Sequence, residues 1–99
     1  MILVIGHFRV PVENLAAIRP PMRQIIAETV REHGCIEYAY AEDLAEPGLI
    51  RVSEKWRDRA CLAAHFAAPH MAQWQRERAE LGLYDRSIRI WDVGEDESV

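Results

Sequence analysis

The chain has 99 residues, a length that suits one small domain. With 49% hydrophobic and 28% charged residues, it has a globular rather than a disordered composition. The net charge is −4 and the arginines are interleaved with Asp and Glu, with no basic stripe, which argues against a nucleic-acid partner.

The opening stretch ILVIGHFRV is β-branched and aromatic and predicts a strand. Ile2, Val4, Gly6 and Phe8 share one face, and Leu3, Ile5, His7 and Arg9 the other. Both faces are apolar in the first half, so both are expected to be covered. The stretch has no basic n-region and is too short for a bilayer, so neither a signal peptide nor a membrane span is expected. Cys35 and Cys61 are the only cysteines, and a reduced, cytoplasmic chain with no membrane partner is the expectation.

After Pro11, Leu15, Ile18, Met22, Ile25, Ile26, Thr29 and Val30 recur at helical spacing. Gly34 is placed to end this helix, with Arg31 and His33 in its last turn. Pro20 and Pro21 interrupt it, which predicts a kink or two helical pieces. CIEYAYAED alternates, with Ile36, Tyr38 and Tyr40 on one side and Cys35, Glu37, Ala39 and Ala41 on the other. A turn through Pro47 and Gly48 leads to LIRVSEKW, where Ile50, Val52, Glu54 and Trp56 share a side; the two strands form a hairpin.

Asp58 can cap a helix that would bury Leu62 and Phe66. Pro69 suits the first turn of a second piece, with Met71, Trp74 and Leu81 on one stripe and Gly82 at its end. YDRSIRIWDV predicts a last strand, with Ile88 and Ile90 set against Arg89 and Trp91. Residues 94–99 read as a flexible acidic tail on a single domain spanning residues 1–99. The order β-α-β-β-α-β predicts an α+β, ferredoxin-like fold: a four-stranded antiparallel sheet with helices on one face. The other face keeps apolar side chains, and a second copy packed face to face would cover them in a homodimer.

GCIEYAYAED, then EPG, then SEKW, then HFAAPHM resembles the antibiotic biosynthesis monooxygenase (ABM) family. The matching positions are Gly34, Tyr38, Asp43, Pro47, Glu54, Trp56, His65, Pro69 and His70, and the resemblance runs from the first strand to about Val93. It implies a dimeric αβ-barrel with a pocket between sheet and helices in each subunit. It also implies oxygenation of a quinol or phenolic polycyclic compound by O2, with no metal, flavin or haem as cofactor. The substrate would supply the electrons; the protein would bind the ring, take a proton and stabilise the anion. The haem-degrading branch has a Trp where His65 aligns and its ligand His near Gln75, so that activity does not fit. A branch processing phosphorylated autoinducer-2-like sugars needs a phosphate site; no Gly-rich loop supplies one, although Arg side chains could. A non-catalytic dimer binding a small aromatic ligand is a further alternative.

The family position makes His65 the expected catalytic group, as general base or anion-stabilising donor. The expected substrate-binding set is Tyr38, Trp56, Glu54, His7, His70 and Trp74. Tyr38 and Trp56 are apolar rings with polar tips, suited to the walls of a pocket. Glu54 shares a face with apolar residues, so its carboxylate points inward and needs a partner or a raised pKa; an ion pair is preferred to catalysis. His7 would line the pocket or the dimer interface. His70 reads as a neutral surface group with pocket-rim duty second, and Trp74 mostly as core on the Met71 stripe. His65 and His70 do not read as a metal pair: five residues apart across a proline is not zincin spacing, and no third ligand is near in sequence. Neither thiol is in a setting that would activate it.

Overall fold

The computed structural model describes residues 1–99 and is organised around one four-stranded sheet in the order β2-β3-β1-β4. The elements are β1 (Ile2–Arg9), a 3₁₀ turn (Val12–Asn14), α1 (Leu15–Thr29), β2 (Cys35–Glu42), β3 (Leu49–Trp56), α2 (Arg59–Phe66), α3 (Pro69–Glu80) and β4 (Tyr84–Asp92). All neighbouring strands are antiparallel, giving the α+β ferredoxin-like plan that the patterning predicts. No helix is long and apolar enough to cross a membrane.

The inner face of the sheet carries Ile2, Val4 and Phe8 of β1, Tyr38 of β2, and Ile50, Val52 and Trp56 of β3. These pack against Leu15, Ile18, Met22 and Ile25 of α1, Leu62 of α2, and Met71 and Trp74 of α3. The outer face has no such cover within the chain: Ile5 is 49% exposed. Beyond Asp92 there is no regular structure, although Val93 N–H still bonds the Met1 carbonyl at 3.0 Å.

Three local expectations are corrected. α1 runs through Pro20 and Pro21 as one helix, so of the kink and the two pieces expected there, the two pieces are excluded. The prolines withhold the N–H groups that the Ala16 and Ala17 carbonyls would accept, and both alanines are exposed, where water can serve instead. In β2, an irregularity sets Cys35 opposite Trp56 and Glu37 opposite Lys55. The extra residue turns Cys35 inward and leaves Ile36 exposed; the predicted alternation resumes at Tyr38.

In α2, the buried residues are Cys61, Leu62 and His65, whereas Phe66 is half-exposed. The helix is only eight residues long, and Phe66 is one step around from the ridge that meets the sheet. Its start is as predicted: the Cys61 N–H donates to Asp58 Oδ1 at 2.9 Å. That bond, with the Cys61 thiol and Arg57 adding to it, holds the Asp58 carboxyl down at about 2. Gly34 reverses the chain ahead of β2 with φ +79°, and a Cβ there would fall 2.3 Å from Cys61 Sγ. The glycine therefore lets α2 close onto the end of α1.

Candidate active site

Between the inner sheet face and helices α2 and α3 lies a cavity of about 190 Å³. Val4 and Phe8 of β1, Ile88 and Ile90 of β4, Phe66 of α2 and Met71 of α3 make it apolar. Tyr38 and Tyr40 of β2, Glu54 of β3, Arg78 of α3 and Arg86 of β4 supply its polar groups. A second cleft beside α1 has a similar volume, but it is bordered by the Arg19–Glu42 surface ion pair (2.9 Å) and gathers no comparable set.

The strand period explains the polar wall. Tyr38 and Tyr40 are two apart on β2, so both point inward, and their hydroxyls bond each other at 2.6 Å. Burial raises both phenols above their ordinary range; for Tyr38 the Tyr40 hydroxyl adds to the effect. Glu54 stands opposite Tyr38 in register and is only 7% exposed. Trp56 Nε1–H donates to its Oε1 at 2.9 Å, and no cation pairs with it. Burial pushes the carboxyl up to about 7, against the opposing pull of the Trp56 hydrogen bond and the Arg86 charge. Arg78 lies over the Trp74 ring, 6.0 Å from its centroid, and burial with the neighbouring Arg86 charge lowers the guanidinium pKa.

Behind the cavity is a second polar group. Glu32, from the turn after α1, accepts hydrogen bonds from His65 Nδ1 and His70 Nε2 on one oxygen, each at 2.7 Å. His65 is fully buried, with its ring 4.9 Å from Trp56 and 5.4 Å from Tyr38 between centroids. Donation from Nδ1 leaves Nε2 as a buried lone pair with no partner. Burial lowers the His65 pKa against the pull of Glu32, which favours the neutral imidazole. The ligand atoms of Glu32, His65 and His70 lie within 4.8 Å of one another, a spacing that could hold a metal ion. The third group comes from 33 residues upstream of His65, which local spacing could not disclose. The 2.7 Å separations are those of hydrogen bonds, which already engage the three groups with one another.

Of the sequence-derived site residues, only Tyr38 and Glu54 line the cavity. Trp56 is buried behind Glu54 and orients it. Trp74 is buried against Phe8 and Tyr40, in keeping with its core reading. His65 and His70 belong to the Glu32 cluster, not to the cavity wall, and His70 is partly buried rather than surface-facing. His7 is on the opposite strand phase from Val4 and Phe8, with Nε2 3.7 Å from Asp85, so it cannot reach the cavity of its own chain. Tyr40, Arg78 and Arg86 were missed. Their signals are present: Arg78 continues the Met71–Trp74 stripe, and Arg86 shares the β4 phase of Ile88 and Ile90.

A four-stranded antiparallel sheet with its helices on one face, and a ring-sized apolar cavity holding one buried carboxylate, defines an α+β protein of the ferredoxin-like class. Residues 1–77 match the family described as antibiotic biosynthesis monooxygenase, and the chain belongs to that family. A crystal structure from Deinococcus radiodurans named for the same family superposes with a TM-score of 0.93 at 27% identity, covering 100% of this chain and 98% of that one. A structure from Mycobacterium tuberculosis gives 0.86 at 25% identity, covering 98% of each chain. An uncharacterized Synechocystis protein is 26% identical over 98 residues, which are 99% of this chain and 67% of that protein.

Proposed function

We propose that this protein is a cofactor-independent monooxygenase that oxygenates a small quinol or related phenol with O2 in the Tyr38–Glu54 cavity. The observation that carries this reading is a buried carboxylate, raised to about 7, on the wall of an apolar ring-sized cavity. A general base works best with a pKa near the operating pH, and Glu54 meets that condition. Trp56 engages only Oε1, leaving Oε2 free to take a phenolic proton. The resulting phenolate is electron-rich enough to reduce O2 directly, and the Tyr38–Tyr40 hydroxyl pair can donate to the anion that forms.

For a hydroquinone the balance is hydroquinone + O2 → hydroxyquinone + H2O. Two electrons come from the quinol-to-quinone change and two from converting a ring C–H to C–OH. One oxygen atom enters the ring, and the other leaves as water. The base role thereby moves from His65 to Glu54, and His65 becomes a positioning residue through its ring contact with Trp56. Cavity size narrows the substrate: a cavity of about 150 Å³ holds benzene, so about 190 Å³ suits one or two fused rings rather than a larger polycycle. A homodimer formed through the bare outer sheet face and a reducing, cytoplasmic setting for the two free thiols complete the reading.

Oxygen consumption with a panel of reduced quinones tests it. Wild-type protein should consume O2 faster than the uncatalysed rate. Glu54→Gln should lower kcat by roughly 10²-fold or more with little change in KM. Wild-type rates in Glu54→Gln would overturn the assignment of the base, and no uptake with any quinol would overturn the activity.

A further inference from the structure

We infer that the natural substrate is an aromatic acid: a phenol of one or two rings bearing a carboxylate, which Arg78 and Arg86 hold while the phenolic oxygen meets Glu54. The inference rests on the cavity being the substrate site.

Five arginines already have acidic partners. Arg9 pairs with Glu46 and Asp85, Arg19 with Glu42, Arg51 with Asp43, Arg57 with Asp58 and Arg59 with Asp92. Arg23, Arg31, Arg76, Arg78, Arg86 and Arg89 are unpaired, but of the unpaired arginines only Arg78 and Arg86 line the cavity. Arg78 is partly buried, where a guanidinium without an anion is costly, and the exposed Arg86 adds a second positive charge at the rim of the same apolar space. Glu54 is the single carboxylate in the lining and is engaged by Trp56. Whatever its protonation state, the lining keeps a positive excess. The Trp74 ring under Arg78 holds that guanidinium from behind and leaves its donor fork for a ligand.

The topology separates the two polar ends. Glu54 is on β3 and Arg86 on β4, with β1 between them, a lateral distance of roughly 10 Å at ordinary strand spacing. Val4 and Ile88 lie in the interval. An aromatic ring over this apolar floor reaches both ends, with its hydroxyl at Glu54 and its carboxylate at the arginines. Both arginines fall beyond residues 1–77, the span of the family match.

Anaerobic calorimetry separates binding from turnover. 2,5-Dihydroxybenzoate should bind at least about tenfold more tightly than the neutral 2,5-dihydroxybenzamide, as one charge-assisted contact predicts. Arg78→Gln and Arg86→Gln should each collapse that ratio to below about threefold. Arg86→Gln carries the test should Arg78→Gln disturb packing on Trp74, because Arg86 is exposed on an edge strand. Equal binding of acid and amide, or a ratio that survives both substitutions, would overturn the inference. So would inorganic phosphate binding more tightly than the benzoate, which would point to a phosphorylated ligand. Oxygen uptake from neutral hydroquinone without preference for the acid would leave the monooxygenase reading standing and remove this one. Acid preference without oxygen uptake would do the reverse.

Discussion

Glu54 ties the chemistry of the cavity to the stability of the chain. Its carboxyl is raised by burial from an ordinary 4.5 to about 7. Between those values the unfolded chain has released a proton that the folded chain retains, so stability falls as pH rises through this window. The contribution is intact below pH 4.5, is lost by pH 7, and amounts to roughly 3 kcal/mol. His65 acts in the opposite sense: its lowered pKa means stability is lost as pH falls below its ordinary 6.5. The wild-type curve mixes both effects, and the difference from a Glu54 variant isolates one. Glu54→Gln keeps an oxygen for Trp56 Nε1 and abolishes the titration. It should match wild type near pH 4.5 and exceed it by roughly 3 kcal/mol at pH 8 in urea melts. A difference that does not change with pH would show that Glu54 ionises normally. This residue was legible in sequence because a carboxylate in the phase of Ile50, Val52 and Trp56 has to be buried. Arg78 and Arg86 break their own apolar phases in the same way. The position of His65 behind the wall was not legible, because it depends on Glu32 arriving from the far end of α1.

At the level of elements, periodicity gave every helix and strand, and the turn and cap residues gave most boundaries. The failures occur where a partner element overrides the local pattern. The β2 irregularity depends on pairing with β3, and the exposure of Phe66 depends on which side of α2 meets the sheet. α1 is the clearest such case, since packing of Leu15, Ile18, Met22 and Ile25 holds one helix across two prolines. Pro20 is exposed, so replacing it removes no packing. An interior proline costs a helix about 3 kcal/mol, while losing its stiffening of the unfolded chain returns up to about 1 kcal/mol. Pro20→Ala should therefore stabilise the protein by about 2 kcal/mol, raising the urea midpoint at constant m. No gain would mean that the Ala16 carbonyl is already satisfied in the wild type. Pro21 is a poorer probe because it lies in a cleft with His70 and Trp74.

For the whole molecule, the asymmetry of the sheet matters most. Its inner face is packed, but the outer face presents Leu3 beside Trp91 and Ile5 between Ser53 and Arg89. Trp91 is 57% exposed, and β4 is the sheet edge with only Ile88 partly covered. An apolar strip of this kind rimmed by Lys55, Arg51 and Arg89 has the composition of an interface, with rings and aliphatics central and charges outside. In a two-fold dimer the same patch meets itself, so one substitution counts twice. Ile5→Asp would put a carboxylate on each side of a desolvated contact, at a cost of several kcal/mol. The dimer dissociation constant should rise by roughly 10²-fold or more. Because Ile5 is already half-exposed in the single chain, the monomer should keep its circular dichroism spectrum. Sedimentation velocity over a concentration series measures the shift. A wild-type protein that stays monomeric at tens of micromolar would remove the dimer altogether. An Ile5→Asp protein that dimerises as tightly as wild type would place the contact on another surface, leaving the β1–β4 strip exposed in the assembled protein.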